Sequence, residues 1–265
     1  MLFRSYEVLA HRIIWSLVFM AIINSAMRLW RPVLAALRDR RVRRLLVVAS
    51  VLITVNWGLY IWAVQTDHVV DAALGYFINP LVSVAMGIVA FHERLRRAQW
   101  VAMGIAASSL LMLAVDAHSI PWIGLILASS FGSYGLVKKL ANIEAMASLT
   151  VETLIALPFA LLYLGWLEGT GQAAFLHTSW GHTFTVLSAG AVTALPLLGF
   201  GAAAVRIPLS TLGLLQYLTP MVQFLLGVIV FHEAMSGLKW VGFIWLWIGL
   251  AVFATDMVRH TRSQR

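Results

Sequence analysis

The stretch PLVSVAMGIVAFHERLRRAQW at residues 80–100 decides the fold of this chain, because a close copy of it, PMVQFLLGVIVFHEAMSGLKW, stands at residues 220–240. A shift of 140 positions superimposes the proline, the glycine, the Phe-His-Glu triplet and the tryptophan of the two stretches. The same shift brings Asp116 onto Asp256. Chance does not produce so many matches at one spacing, so the sequence predicts one structural unit that occurs twice.

The composition indicates that lipid surrounds this chain. Of its 265 residues, 61% are apolar and 11% are charged, against roughly 45–50% and 25% in soluble domains. The apolar residues are gathered in runs of about 20, the length of a helix that crosses the hydrocarbon core. Helices are expected because unpaired amides are costly in lipid. We predict nine spans, at residues 10–29, 45–65, 69–91, 98–115, 121–137, 149–167, 183–204, 209–231 and 238–257.

The basic residues predict the sidedness of these spans. Cytoplasmic loops of membrane proteins carry an excess of Lys and Arg. Alternation of nine spans puts sixteen of the nineteen basic residues on one side and leaves Arg4, Arg12 and Lys239 on the other. We therefore expect a cytoplasmic C-terminus, with the first residue of this chain outside the cytoplasm.

The repeat accounts for the odd number of spans. A shift of 140 places spans 1 to 4 on spans 6 to 9, whereas span 5 has no counterpart. We therefore predict an all-α polytopic membrane protein of two five-helix repeats, in which the first copy (1–118) lacks its first helix and the second (119–265) is complete. An odd number of helices per copy makes the two copies inverted, as is typical of secondary transporters. A truncated gene model is the favoured explanation of the missing helix.

The remaining motifs argue against an enzyme. The His-Glu pairs at 92–93 and 232–233 begin like the H-E-x-x-H zinc motif, but Arg96 and Ser236 stand where the second His belongs. There is no cysteine and no phosphate-binding glycine loop. We expect no catalytic residue, cofactor or metal. The net charge of +8 follows the sidedness of the loops, so no nucleic-acid partner is expected.

The repeated P-x6-G-x3-F-H-E-x6-W pattern resembles that of EamA-type proteins in the drug/metabolite transporter superfamily. Five stretches are similar to the RarD group within that family: HRIIWS at 11–16, NWGLYIWAV at 56–64, LGYFINPLV at 74–82, YGLVKK at 134–139 and LSTLGLLQYLTP at 209–220. The resemblance covers essentially the whole chain. It implies a multi-pass permease of the cell inner membrane, in a group associated with chloramphenicol sensitivity, and it implies no particular cargo.

The function predicted from the repeat and the resemblance is secondary transport of a small organic solute or drug by alternating access. Coupling of this transport to protons is left open. The alternatives are a membrane scaffold that does not transport, and a truncated, inactive transporter. The expected partners are a small-molecule solute and membrane lipid, and a homodimer is left open.

Polar side chains inside spans mark the candidate substrate cavity, because they are costly in lipid unless they face a cavity or a partner. Asp71, Gly75, Asn79 and Ser83 follow one another at four-residue steps in span 3. The candidates for the cavity are Arg12, Asn56, Trp57, Tyr60, Asp71, Tyr76, Asn79, Ser83, Glu152, Gln216, Tyr217 and Gln223. Ordinary packing of small residues is the alternative for the span 3 stripe.

Some of these candidates have specific roles in view. Arg12 and Glu152 occupy equivalent places in the two copies and are expected to bind or gate substrate, to pair with other residues of the repeats, or to extend towards the membrane surface. Asp71 is the candidate for a proton-coupled carboxylate, with a solvated helix start as the alternative. An aromatic wall is expected from Trp57, Tyr60, Trp62 and Tyr76, with Trp57 and Tyr60 facing the cavity; a place at the membrane interface is the alternative.

The prolines inside spans 3 and 8 are hinge candidates. Pro80 and Pro220 each remove an amide and leave the carbonyl four residues earlier without its helical donor. A static bend is the alternative. Glu93 and Glu233 are expected to cap helix ends.

Overall fold

A computed structural model describes residues 2–66, 68–117, 122–173, 175, 180–229 and 237–263 of the chain. These residues form helices and no strand, which confirms the all-helical class. The helices are α1 (Leu2–Met27), α2 (Trp30–Arg38), α3 (Arg40–Gln65), α4 (Val69–Phe91), α5 (Arg97–Ala117), α6 (Trp122–Ala141), α7 (Ala145–Gly169), α8 (Trp180–Arg206), α9 (Leu209–Leu215), α10 (Leu218–Ile229) and α11 (Gly237–Ser263).

Four of the described helices are long and apolar enough to cross a membrane. They contribute the segments Tyr6–Met27, Arg40–Gln65, Ala145–Gly169 and Thr183–Arg206. Shorter apolar segments lie in α4 and α11, at Gly75–Phe91 and Trp240–Asp256. The count of nine spans therefore stays a prediction.

The helix boundaries repeat along the chain. Three helix starts in the first half, Arg40, Val69 and Arg97, fall on the starts of α8, α9 and α11 when 140 is added to their numbers. The same shift places α1 on α7. We call α1/α7, α3/α8, α4/α9 and α5/α11 the mate pairs.

Two features differ from the sequence-based expectation. The charged segment between spans 1 and 2 is expected to be a loop, but it contains the helix α2, whose Val33 and Ala36 are buried. Span 8 is expected to be one helix, but it is divided into α9 and α10 at Gln216 and Tyr217. Since Pro220 has no amide to donate, the carbonyl of Gln216 instead accepts a hydrogen bond from the amide of Thr219, at 3.0 Å. By contrast, α4 continues through Pro80.

The chain divides into two compact units, and each unit draws on both halves of the sequence. Unit 1 contains residues 1–67 and 133–207, and unit 2 contains residues 68–132 and 208–265. The helix α6 contributes its first part to unit 2 and its last part to unit 1. The boundaries 1–118 and 119–265 concern repetition in the sequence, and these spatial units cut across them.

In unit 1, α1 packs against α7 and α8, and both α2 and α3 pack against α7. The mates α1 and α7 run in opposite directions. Near the end of α1, the Asn24 side chain donates a hydrogen bond to the Thr150 hydroxyl at 2.8 Å, near the start of α7. Near the start of α1, Ala10 and Ile13 pack with a later segment of α7, residues 156–160.

In unit 2, α4 packs against α9, and α5 packs against α11. The mates α5 and α11 are antiparallel. Arg96, immediately before α5, forms a salt bridge of 2.7 Å with Asp256 near the end of α11. Further along α5, the Ser108 hydroxyl accepts a hydrogen bond from the indole of Trp245, which lies earlier in α11.

Close helix contact in unit 1 depends on Gly190. The hydroxyl of Ser16 in α1 donates to the Gly190 carbonyl in α8 at 3.1 Å. A Cβ at position 190 would lie 2.6 Å from the Trp15 carbonyl oxygen, closer than van der Waals contact permits. Small residues let membrane helices approach in this way.

We therefore predict that Gly190→Ala destabilises unit 1. Overpacking of this kind costs about 1–3 kcal/mol, and it should lower the midpoint of thermal unfolding in detergent. Gly199→Ala in the same helix is the control, because nothing lies within 4 Å of a Cβ there. Equal midpoints for the two variants would contradict the close contact at Gly190.

Candidate functional site

Unit 1 contains a buried group of polar side chains that we call the ionic cluster: Tyr134, Lys138, Ser148 and Glu152. Lys138 is 3% exposed and Glu152 is 2% exposed. The Lys138 ammonium lies 2.6 Å from one carboxylate oxygen of Glu152, and that oxygen also accepts from the Ser148 hydroxyl at 2.6 Å. The second carboxylate oxygen accepts from the Tyr134 hydroxyl at 2.9 Å. Both oxygens of the carboxylate therefore have donors.

Helical spacing assembles this cluster. Tyr134 and Lys138 are four residues apart on α6, and Ser148 and Glu152 are four residues apart on α7, so each pair lies on one side of its helix. Lys138 also donates to the Ser148 hydroxyl at 2.6 Å. Because a charge in a lipid-embedded bundle is stable only when it is paired, the two charged side chains hold these helix faces together.

Neighbouring helices close around the ionic cluster. From α3, the Ser50 hydroxyl donates to the backbone carbonyl of Glu152 at 2.9 Å. From α8, the ring of Phe200 stacks on Tyr134 with the centroids 5.9 Å apart. A Cβ at Gly201 would lie 3.2 Å from the Lys138 side chain, so α8 leaves just enough room for the lysine.

Arg12 and Trp57, both sequence candidates, are in contact in unit 1. The guanidinium carbon of Arg12 lies 4.5 Å from the centroid of the Trp57 ring, and its Nε donates to the Thr193 hydroxyl at 3.0 Å. The arginine is therefore held between α3 and α8. The same helix α1 also buries Glu7 and His11, which sequence reasoning missed.

Unit 2 contains a second polar group that we call the amide site: Asn79, Gln216 and Tyr217. All three were cavity candidates. The Asn79 side-chain nitrogen donates to the Gln216 side-chain oxygen at 2.7 Å, across the mates α4 and α9. The Asn79 oxygen, the Gln216 nitrogen and the Tyr217 hydroxyl are buried and have no hydrogen-bond partner in the described part of the chain. Unused hydrogen-bonding atoms of this kind are unfavourable unless water or a ligand contacts them.

Close packing of α4 on α9 positions the amide site. A Cβ at Gly213 would lie 2.8 Å from the Pro80 carbonyl oxygen and 2.9 Å from the Ser83 Cβ. Ser83 is accordingly buried in a helix contact. On its other side, Tyr217 lines a small pocket with residues of α5, α9 and α11: Ala102, Ala106, Leu214, Leu246, Gly249, Leu250 and Phe253.

Glu93 fixes the start of α9. Its two carboxylate oxygens accept from the backbone amides of Leu209 and Ser210, each at 2.8 Å. The carboxylate therefore caps a helix more than a hundred residues further along the chain. Glu233 lies outside the described residues.

The structure also describes the burial of three further cavity candidates. Asn56, Tyr60 and Tyr76 are half-buried. The side chains of Asp71 and Gln223 lie outside the described residues. Within the described ranges, no group of three His, Cys, Asp or Glu side chains is arranged to hold a metal ion.

Similarity to known proteins agrees with the resemblance in the repeated motif. The EamA-like transporter family matches residues 3–115. The protein RarD of Streptomyces exfoliatus is 48% identical to this chain, over 98% of the chain and 82% of that protein. The chain belongs to the EamA-like transporter family.

Further relatives of this EamA-like chain carry related names. Protein RarD of Escherichia coli K12 is 40% identical over 97% of this chain and 86% of that protein. An uncharacterized transporter of Vibrio cholerae is 39% identical over 98% of this chain and 86% of that protein. A crystal structure described only as that of a protein shares the fold, with a TM-score of 0.70 over 97% of this chain and 89% of the other, at 18% identity. The chain is thus a RarD-like membrane protein of a transporter family.

We predict that each half of the Lys138–Glu152 pair depends on the other. Lys138→Met or Glu152→Gln should destabilise the protein by about 3–5 kcal/mol, because either change leaves a charge buried without its partner. Thermal unfolding in detergent measures this. The double variant should be destabilised by less than the sum of the two single destabilisations.

The control for this pair is Glu144→Gln, which changes an exposed carboxylate one turn before Ser148 and should leave the unfolding midpoint unchanged. Strict additivity in the double variant would show that Lys138 and Glu152 act independently.

Proposed function

We propose that this EamA-like chain is a secondary transporter that moves a small organic solute across the cell inner membrane by alternating access. The observation that carries the proposal is the antiparallel pairing of repeat mates in both units. Equivalent helices of an inverted repeat run in opposite directions, and exchange between the conformations of the two copies then opens the site to each side in turn.

Three mate pairs support the inverted arrangement of the copies 1–118 and 119–265. The pairs α1/α7 and α5/α11 are antiparallel, because in each pair one contact joins the start of the first helix to a later part of its mate and another joins a later part of the first helix to an earlier part of the mate. The pair α4/α9 is antiparallel as well, since Asn79 contacts Gln216 whereas the later Glu93 contacts the earlier Leu209. A parallel duplication would give none of these pairings. We accordingly propose nine spans with a cytoplasmic C-terminus.

The amide site is the proposed solute-binding site. Its three unused polar atoms offer both hydrogen-bond donors and acceptors, and it lies at the break between α9 and α10. Interrupted helices commonly form the substrate sites of secondary transporters, because their exposed backbone groups are available to the solute. Pro220 keeps this break in place, and Pro80 in the mate helix is proposed as the corresponding hinge.

Proton coupling is proposed at the ionic cluster or at Asp71. An ionisable side chain within a membrane bundle commonly marks an ion pathway. The charged and titratable groups that face Glu152 are Lys138 and Tyr134 of α6, and the hydroxyl of Ser148 links them.

The inverted arrangement predicts opposite sidedness for equivalent loops. The segments 28–39 and 168–179 correspond under the shift of 140. Since the chain has no cysteine, Ala35→Cys and Gln172→Cys give single labels without further changes. A membrane-impermeant maleimide should label position 172 in intact cells and position 35 only after the cells are opened. Labelling of both positions from the same side would contradict the inversion.

Transport itself is tested in sealed vesicles that contain the protein. Labelled amino acids, metabolites and chloramphenicol are offered with and without a pH gradient. We expect saturable uptake of at least one solute, and we expect Gln216→Leu to reduce it roughly tenfold, the effect of losing about 1.4 kcal/mol of binding. Gln172→Leu, an exposed amide, is the matched control and should transport normally.

Two results would contradict this proposal. Absence of uptake across the whole panel would favour the non-transporting scaffold. Equal uptake by the Gln216 variant and its control would remove the amide site from the transport pathway.

A further inference from the structure

Helix α2 and its flanks carry an unusual concentration of exposed positive charge. Seven arginines are exposed in residues 28–44: Arg28, Arg31, Arg38, Arg40, Arg41, Arg43 and Arg44. Among the described residues, no carboxylate forms a salt bridge with any of them. Asp39, the one acid of the segment, instead accepts from the backbone amides of Arg41 and Val42 and caps α3.

The position of α2 within unit 1 places these charges at a membrane surface. The helix joins the end of α1 to the start of α3, and both of these are long and apolar enough to span. It therefore lies where the two spans leave the hydrocarbon. The sidedness of the basic residues makes this the cytoplasmic surface.

The two faces of α2 differ in chemistry. One face buries Val33 and Ala36 against Ala147 and Val151 of α7. The opposite face exposes Trp30 by 39% and Leu34 by 49%. Arg31, Leu34 and Arg38 recur at three- and four-residue steps on this outer face. A helix with apolar and aromatic side chains among arginines is typical of an element that lies in the headgroup region.

We propose that α2 and its flanking arginines bind the headgroups of anionic phospholipids in the cytoplasmic leaflet. Guanidinium groups bind phosphate oxygens in a bidentate manner, and clusters of basic residues beside a span attract anionic lipid. Trp30 and Leu34 enter the acyl boundary beneath the headgroups. This surface requires no solute, so the proposal stands apart from the transport function.

Lipid on α2 has a consequence for the rest of unit 1. The residues of α7 on which α2 rests, Ala147 and Val151, directly precede Ser148 and Glu152 of the ionic cluster. A lipid that holds α2 in place therefore also restrains the turns of α7 that carry the cluster. Binding of lipid to the folded protein alone raises its apparent stability.

The test measures thermal unfolding of the full chain in mild detergent with added phosphatidylglycerol or phosphatidylcholine. We expect phosphatidylglycerol to raise the midpoint and phosphatidylcholine to leave it nearly unchanged. The rise should shrink as salt is added. The variant Arg31→Gln/Arg38→Gln/Arg41→Gln should lose most of the rise.

The matched control is Arg94→Gln/Arg97→Gln/Arg259→Gln, which removes the same charge from exposed arginines of unit 2 and should keep the rise. Equal losses in the two triple variants would overturn the proposal in favour of a general charge effect. An equal rise with inorganic phosphate would overturn the lipid surface in favour of a small-anion site.

A second measurement leaves every arginine in place, so it does not depend on whether the triple variant inserts and folds. A fluorophore on Ala35→Cys in reconstituted membranes reports contact with lipids that carry a nitroxide on the headgroup. Labelled phosphatidylglycerol should quench it more strongly than labelled phosphatidylcholine at the same mole fraction. Equal quenching would overturn the preference for anionic lipid.

Discussion

Hydrocarbon offers no hydrogen bonds, and this constraint governs how the polar groups buried within the described helices are arranged. Backbone amides satisfy one another within helices. Buried side chains must then find partners on other helices, as Glu152 does with Lys138 and Tyr134. Helix ends need partners too, and Glu93 supplies them for α9. The polar contacts therefore help to specify which helices pair, together with the close contacts at Gly190 and Gly213.

The ionic cluster and the amide site meet this constraint to different degrees. In the ionic cluster, both oxygens of the Glu152 carboxylate have donors and the lysine has acceptors, so the cluster holds α6 and α7 together. In the amide site, one hydrogen bond joins Asn79 to Gln216 and three buried polar atoms remain without a described partner. A saturated cluster suits a structural or switching role, and an unsaturated one suits the recognition of a solute.

The duplicated sequence does not produce two identical copies. Helix α4 passes through Pro80 without interruption, but its mate is divided at Gln216 and Tyr217 before Pro220. Each proline removes the equivalent amide of its own helix, so the difference between a continuous and a divided helix must come from the residues around them. Each compact unit contains helices of one copy together with their mates from the other. Unit 1 holds α1 and α3 with α7 and α8, and unit 2 holds α4 and α5 with α9 and α11. Three of the four mate pairs, α1/α7, α4/α9 and α5/α11, pack directly on each other, so the chain divides by contact and not by sequence order.

The sequence by itself determined the solvent, the helical class, the repeat and the family, because these follow from composition, run length and motif spacing along the chain. It also indicated Asn79, Gln216, Arg12 and Glu152 as polar residues that need a reason to lie in a span. Only the tertiary structure decided their partners. From the sequence, Lys138 is one more basic residue near the end of a span, and residues 30–38 are a charged loop. In the structure, Lys138 pairs with Glu152 of α7 and α2 packs against α7. The physical reason is that a hydrogen bond or salt bridge between distant segments depends on how the helices pack. The local sequence of a helix does not specify which other helix packs against it.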